Sequence, residues 1–250
     1  MGTYSSATRQ GAYEPFDLQV ARGQVDGHTA INIFGFSTAV GSTALGPVWE
    51  GLTVSGGAYA YPSSAAALVL VSDSASDTSA LSVQIQGLDA SYAPITETIA
   101  MNGTTNVTTT NTFLRINLMS TTNGVNVGNI TAKISSTTYA KINAGIGQTQ
   151  MSIYTVPKGY TFYLSYIQGD ASIGFTSSNY MKFAEYNKDN TTGEINTLTQ
   201  TAFVQTLNLS YTWGIPHNEK TDIQFQMLAN TGSPFVGSIY AGGILIKNPD

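Results

Sequence analysis

The clearest pattern in the chain is alternation. Leu81, Val83 and Ile85 alternate with Ser82, Gln84 and Gln86, the two-residue period of a strand with one buried face. Gly87 to Pro94 is a turn cluster, in which Asp89 can close an Asx turn and Pro94 fixes its own φ. Ile95, Glu97 and Ile99 then alternate with Thr96, Thr98 and Ala100, and Asn102-Gly103 is the strongest short turn signal in the chain. Residues 81–100 therefore read as two strands folded on each other, with a Thr-rich continuation to Thr110.

The same texture recurs along the chain. Strands are predicted at residues 65–71, 113–118, 130–134, 139–142, 151–156, 160–167, 180–186, 202–209, 221–229 and 238–247. Turn signals fall roughly every 8–12 residues, which points to a sandwich or barrel. Tyr160 to Ile167 is apolar on both faces, as in a strand buried on both sides or facing another subunit. Residues 143–148 read as a joint between two halves. No segment carries a helical period of useful length. The expected fold class is all-β, an antiparallel β-sandwich or jelly roll. It comprises a first sandwich subdomain over residues 63–145 and a second, jelly-roll-like one over 146–250.

Residues 1–62 differ. They lack a period and are punctuated by Gly23, Gly27, Gly35, Gly41, Gly46, Gly51, Gly56 and Gly57. They read as an extended N-terminal arm that lies along another protein or along its own barrel. Phe16, Phe34, Phe36 and Trp49 are the predicted anchors, since disordered segments are poor in such residues.

Composition narrows the function classes. Charged residues make up 10% of the 250, against about 25% in ordinary domains. Ser, Thr, Asn, Gln and Gly take their place, a surface suited to packing protein against protein. A net charge of -5 with scattered basic residues argues against nucleic acid, which needs clustered Lys and Arg. The absence of Cys removes disulfides and thiol chemistry. Met1 is not followed by a charged and then apolar run, so no signal peptide is expected. The longest apolar runs are too short to span a bilayer, so no membrane partner is expected.

Catalytic patterns are missing from the sequence. His28 and His217 read as turn or surface residues. Nucleophile-elbow, zincin and phosphate-loop motifs do not occur. Asp73 and Asp77 flank a Ser-rich turn and could contribute to a calcium site, though nothing else about their spacing supports it. Glu97, Asp170, Glu185 and Asp189 supply carboxylates of the kind glycoside hydrolysis uses, as does any β protein. Tyr160, Tyr163 and Tyr166 could line a sugar groove; core and interface packing is the simpler reading. The sequons at Asn102, Asn106, Asn129, Asn190 and Asn208 follow from Asn and Thr richness.

A set of short pieces, ordered along residues 17–160, carries a resemblance. They are Leu18 to Gln24, Gly27-His28, Phe34-Gly35, Val48-Trp49-Glu50, Tyr61-Pro62 and Ser72 to Thr78. Ile85 to Tyr92, Glu97-Thr98-Ile99, Met101 to Thr104, Phe113-Leu114-Arg115 and Tyr154 to Pro157 complete it. Together these resemble a family of virion structural proteins of tailed bacteriophages, of the marine and cyanobacterial type. The last ninety residues or so match only in texture. The resemblance implies a particle component without enzymatic activity or cofactor. The expectation is a capsid decoration (cement) protein, made in the host cytoplasm and found in the virion. Its partners would be the major capsid protein or other virion proteins, and it would form a homo-oligomer, most simply a trimer. Tyr160, Tyr163, Tyr166, Ile239 and Tyr240 are the expected subunit contacts. A neck, tail or fibre-base component is the second expectation, and a carbohydrate-binding module the third.

Overall fold

A computed structural model describes residues 14–51, 59–172, 179–230 and 235–249. They form one short helix, α1 (Phe16–Ala21), and sixteen strands. Two four-stranded layers make the larger lobe. One runs β1 (His28–Val40), β16 (Phe235–Lys247), β11 (Tyr160–Ala171) and β14 (Thr206–His217), in that spatial order. The other runs β10 (Ile153–Thr155), β15 (Thr221–Ala229), β12 (Met181–Asp189) and β13 (Ile195–Phe203). β2 (Gly46–Pro47) continues the line of β10: both pair with the same edge of β15, β10 at Asp222 to Gln224 and β2 at Gln226 and Met227.

Counting β2 and β10 as one interrupted strand leaves eight strands. Numbered in chain order, the layers read 1-8-3-6 and 2-7-4-5, the connectivity of a jelly roll. Its core holds Phe162, Phe183, Phe225, Ile223, Met227, Ile239 and Ala241, contributed by both layers. Burying each phenylalanine stabilises the fold by roughly 1.5–3 kcal/mol relative to exposure.

A second sandwich fills the gap between β2 and β10. One layer is β6 (Val107–Phe113), β3 (Ala66–Ser72), β8 (Ile130–Ile134) and β9 (Thr137–Ile142). The facing layer is β5 (Pro94–Ala100), β4 (Ser82–Leu88) and β7 (Arg115–Thr122). Leu68, Leu70, Ile130 and Ala132 pack against Val83, Ile85, Ile116 and Met119 between them. The hairpin expected over residues 81–100 is β4–β5, in register from Ser82↔Ala100 to Leu88↔Pro94. Asn102-Gly103 is indeed a turn, with Gly103 at φ +58. It carries the chain from one layer to the other rather than closing a hairpin.

Several expectations are corrected. Residues 28–40 are not an arm reaching outward: β1 pairs with β16 from His28↔Ile246 to Val40↔Phe235. Of the two courses open to the arm, this stretch takes the one along its own sheet. The jelly roll is therefore discontinuous, built from residues near both ends of the chain, with the smaller sandwich inserted. Residues 1–13 and 52–58 of the expected arm lie outside the described residues. The strand expected at residues 202–209 is the join between two longer strands, β13 and β14.

Candidate interaction face and inter-lobe cleft

The outward face of the β1-β16-β11-β14 layer gathers residues that the sequence divided between two contacts. Alternation turns Ile33, Ile239, Ala241 and Ile167 into the core. It turns Phe34 and Phe36 of β1, Tyr240 of β16, and Tyr163 and Tyr166 of β11 outward. Register places Phe34 beside Tyr240 and Tyr166 beside Gly242. A Cβ on Gly242 would run into the Tyr166 ring, so the glycine lets Tyr166 lie across β16. Its hydroxyl then meets Asn32 Oδ1 at 3.2 Å, and the Tyr240 hydroxyl meets the same oxygen at 2.9 Å. Burial and the neighbouring Tyr240 hydroxyl push the Tyr166 phenol upward. Along this face, over Ala30–Phe36, Ser238–Ile244 and Tyr163–Asp170, Asp170 is the only charged side chain.

The edge of the same layer carries Trp213, which is 86% exposed. Leu164 pairs with Ile215, and Tyr166 with Ser210, so Tyr211 to Gly214 bulge opposite the single residue Ser165. The bulge throws Trp213 out of the sheet. Ile195 and Leu198, on the edge strand β13 of the other layer, are exposed as well.

Four predicted contacts fall elsewhere. Trp49 is 3% exposed and packs edge-on against Tyr59 at 5.7 Å, so it belongs to the core of the inserted sandwich and is closed to a partner. Ile239 is fully buried, because its place on β16 points inward. Tyr160 packs against the jelly-roll core. Phe16 is exposed on α1 and packs edge-on against the His28 ring at 5.7 Å.

Between the lobes lies a cleft of about 690 Å³. Arg115 of β7 and Asp222 of β15 form its floor, 5% and 0% exposed. Arg115 Nε and Nη2 donate to the two Asp222 oxygens at 2.8 and 2.9 Å. Nη1 donates to the carbonyls of Pro62 and Leu114, and Nη2 also reaches the Tyr92 hydroxyl at 3.3 Å. All five N–H groups of the guanidinium are thus used. Thr155 Oγ1 and Asn190 Nδ2 complete the shell around Asp222, at 2.7 and 2.8 Å. Burial pulls the Arg115 pKa down, and the Asp222 carboxylate more than offsets it, so the net shift is upward. The Tyr61 ring lies 4.5 Å from the guanidinium carbon. A pair satisfied on every side fastens two lobes together and has no free valence for acid–base work.

Asp170 is exposed on the outward face of β11, whereas the remaining ionisable candidates are engaged. Asp77 accepts from the Ser72 hydroxyl at 2.5 Å and from the amides of Val127 and Gly128 at 2.7 and 3.0 Å. Asp73 accepts from the Asn129 amide and side chain, each at 2.7 Å. Both carboxylates anchor the loop before β8, which accounts for them without calcium. Glu97 caps the amides of Thr110 and Asn111 at 2.8 Å each, and Asp189 caps Thr191 and Thr192. His217, expected at a surface turn, is buried. It stacks on Phe162, and its Nε2 is 3.2 Å from Glu185 Oε1. Asn187 donates to the same oxygen at 3.2 Å, and this cluster is sealed inside the jelly-roll core. Among the described residues no group of three His, Asp or Glu side chains could hold a metal ion.

Burial raises the Asp77 pKa, and the Ser72 hydroxyl with the Val127 and Gly128 amides lowers it further than that, leaving it below the usual carboxylate range. A lowered folded-state pKa contributes stability that is complete above the unfolded value and is lost as pH falls through the folded one. Asp77→Asn is therefore expected to cost about 1–3 kcal/mol at neutral pH, and the deficit should shrink in acid. Urea titrations at about pH 7 and about pH 3 check this; an equal deficit at both would refute it.

No protein-family model matches the chain, and neither a curated protein nor a solved structure matches it.

Proposed function

We propose that the chain is a non-enzymatic structural protein of a tailed-bacteriophage virion, namely a capsid decoration protein bound across major capsid subunits. One observation carries this reading: the aromatic, nearly uncharged outward face of Phe34, Phe36, Tyr163, Tyr166 and Tyr240, flanked by Trp213. An apolar patch of this kind on a folded protein marks a contact surface, and aromatic residues with few charges typify the centre of protein interfaces. The saturated Arg115–Asp222 pair supports a structural role for the inter-lobe joint. The resemblance along residues 17–160 supports the setting in a virion.

In this reading the aromatic face seats on the capsid lattice or on a second copy in a trimer. Quantitative mass spectrometry of purified particles tests it. A copy number comparable with that of the major capsid protein is expected. A copy number of a few per particle would overturn head decoration and move the protein to the neck or tail. Trp213→Ser is expected to weaken attachment to particles without changing the melting temperature, because that side chain is almost wholly solvated.

A further inference from the structure

The inter-lobe cleft contains more recognition chemistry than the joint uses. Its floor is electrically closed, since Arg115 and Asp222 neutralise each other. On its wall stands Lys188, directly across the β12–β15 ladder from Asp222. That carboxylate would be its natural partner, but Arg115, Thr155 and Asn190 already occupy it. Lys188 is left without an ion pair or hydrogen bond among the described residues. The cleft therefore carries one unspent positive charge in a chain of net charge -5.

The remaining lining is aromatic and hydroxylic. Tyr61, Tyr92 and Tyr186 line the cavity. The Tyr61 hydroxyl is buried beside Gln224, so Tyr61 offers the cleft its ring and not its oxygen. Asn190 spends its amide nitrogen on Lys220 and Asp222, which leaves its oxygen as an acceptor. Tyr92 reaches the cleft from the β4–β5 turn at φ +62, in the left-handed region that a bulky side chain rarely adopts. Such outliers concentrate where a side chain must be held in place for a ligand. The volume falls within the range of roughly 300–1,000 Å³ typical of small-molecule sites.

We infer that this cleft binds an acidic saccharide, a sugar unit bearing a ring carboxylate. The carboxylate pairs with Lys188, the tyrosine rings cover the apolar face of the sugar ring, and the Asn190 oxygen takes one of its hydroxyls. A saccharide fits better than an acidic peptide, because the cleft offers rings and hydroxyls rather than a free strand edge. The site is separate from the aromatic sheet face, so it stands or falls independently of attachment to a particle.

Saturation-transfer NMR on the full chain decides it, with D-glucuronic acid, N-acetylneuraminic acid and D-glucose as probes. At least one of the two acids should bind, with glucose weaker by about tenfold or more, the equivalent of roughly 1.4 kcal/mol. Lys188→Gln should erase that preference while leaving the melting temperature in place. Tyr186→Phe, a change that keeps the ring, should leave the preference intact. Absence of transfer from both acids overturns the inference, as does transfer equal to that of glucose or unchanged in Lys188→Gln. A hexa-aspartate peptide that occupies the cleft where the sugars do not would overturn it in favour of a protein ligand.

Discussion

Replacing Arg115 with Ala is expected to cost about 3–5 kcal/mol, the range for removing one partner of a buried ion pair. Asp222 has no solvent to fall back on, and the substitution strips its oxygens of two charge-assisted donors. The carbonyls of Pro62 and Leu114 lose their donor at the same time. The loss should also change the shape of unfolding. Arg115 belongs to the inserted sandwich and Asp222 to the jelly roll, so the pair couples two cores. In denaturant, Trp49 fluorescence reports the inserted sandwich. In Arg115→Ala on a Trp213→Phe background, that signal should move at lower denaturant than far-ultraviolet dichroism of the whole chain. Coincident transitions at the original midpoint would show that the pair carries none of the coupling. In a double-mutant cycle, Arg115→Met with Asp222→Leu should recover much of the loss, since an apolar pair leaves no buried charge behind.

The second large effect is expected from Gly35→Ala. Gly35 points inward from β1 to where the interrupted strand crosses beneath it. A Cβ there would stand 2.5 Å from Ser152 Cβ and 2.8 Å from Ser152 N, and nearer still to the Val48 carbonyl. Those atoms cannot yield, because Ser152 is fixed on every side. Its hydroxyl accepts from the Val48 amide at 2.7 Å and donates to the Phe225 carbonyl at 2.6 Å. Its amide donates to Val48, and its carbonyl accepts from Phe225. Overpacking against rigid backbone costs typically 1–3 kcal/mol and occasionally more, and the top of that range is expected. Equilibrium denaturation measures it; a midpoint within error of the parent would mean that β1 can lift from the layer below.

The same geometry explains why β1 was not legible as a strand. Its inward positions include Gly35 and Ser37, kept small by the crossing strand. Its outward positions include Phe34 and Phe36, kept large by the aromatic face. Alternation is therefore inverted, and the segment looks like a glycine-punctuated arm with loose aromatic anchors. Pairing with β16 was also out of reach, since nothing local links His28 to Ile246. By contrast, β4, β5, β8 and β15 were legible because each has a partner near in sequence or a plainly alternating face. Trp213 was hidden for another reason. It shares parity with Leu207, Leu209, Ile215 and His217, whose side chains turn inward, and only the four-residue bulge reverses it. His217 was misplaced because Pro216 looked like the start of a loop, whereas the strand runs through it. The cleft was beyond sequence reading altogether, since Arg115, Lys188 and Asp222 come from two lobes.

The insertion also sets an order of assembly during synthesis. β1 leaves the ribosome well before its partner β16, to which it pairs from His28↔Ile246 to Val40↔Phe235. The small sandwich has its last strand finished at Ile142 and its core closed by Met151 and Ile153, well ahead of β16, and closes first, as domains do on a growing chain. Until β16 emerges, β1 waits without its partner strand. The slow step is then the closing of the longest loop in the molecule, in keeping with the delay that non-local strand pairing imposes. A chain truncated before Phe235 would hold a finished small lobe beside a sticky, open one. Aggregation of such nascent fragments, rather than any weakness of the finished fold, would then limit how much of the protein a cell accumulates.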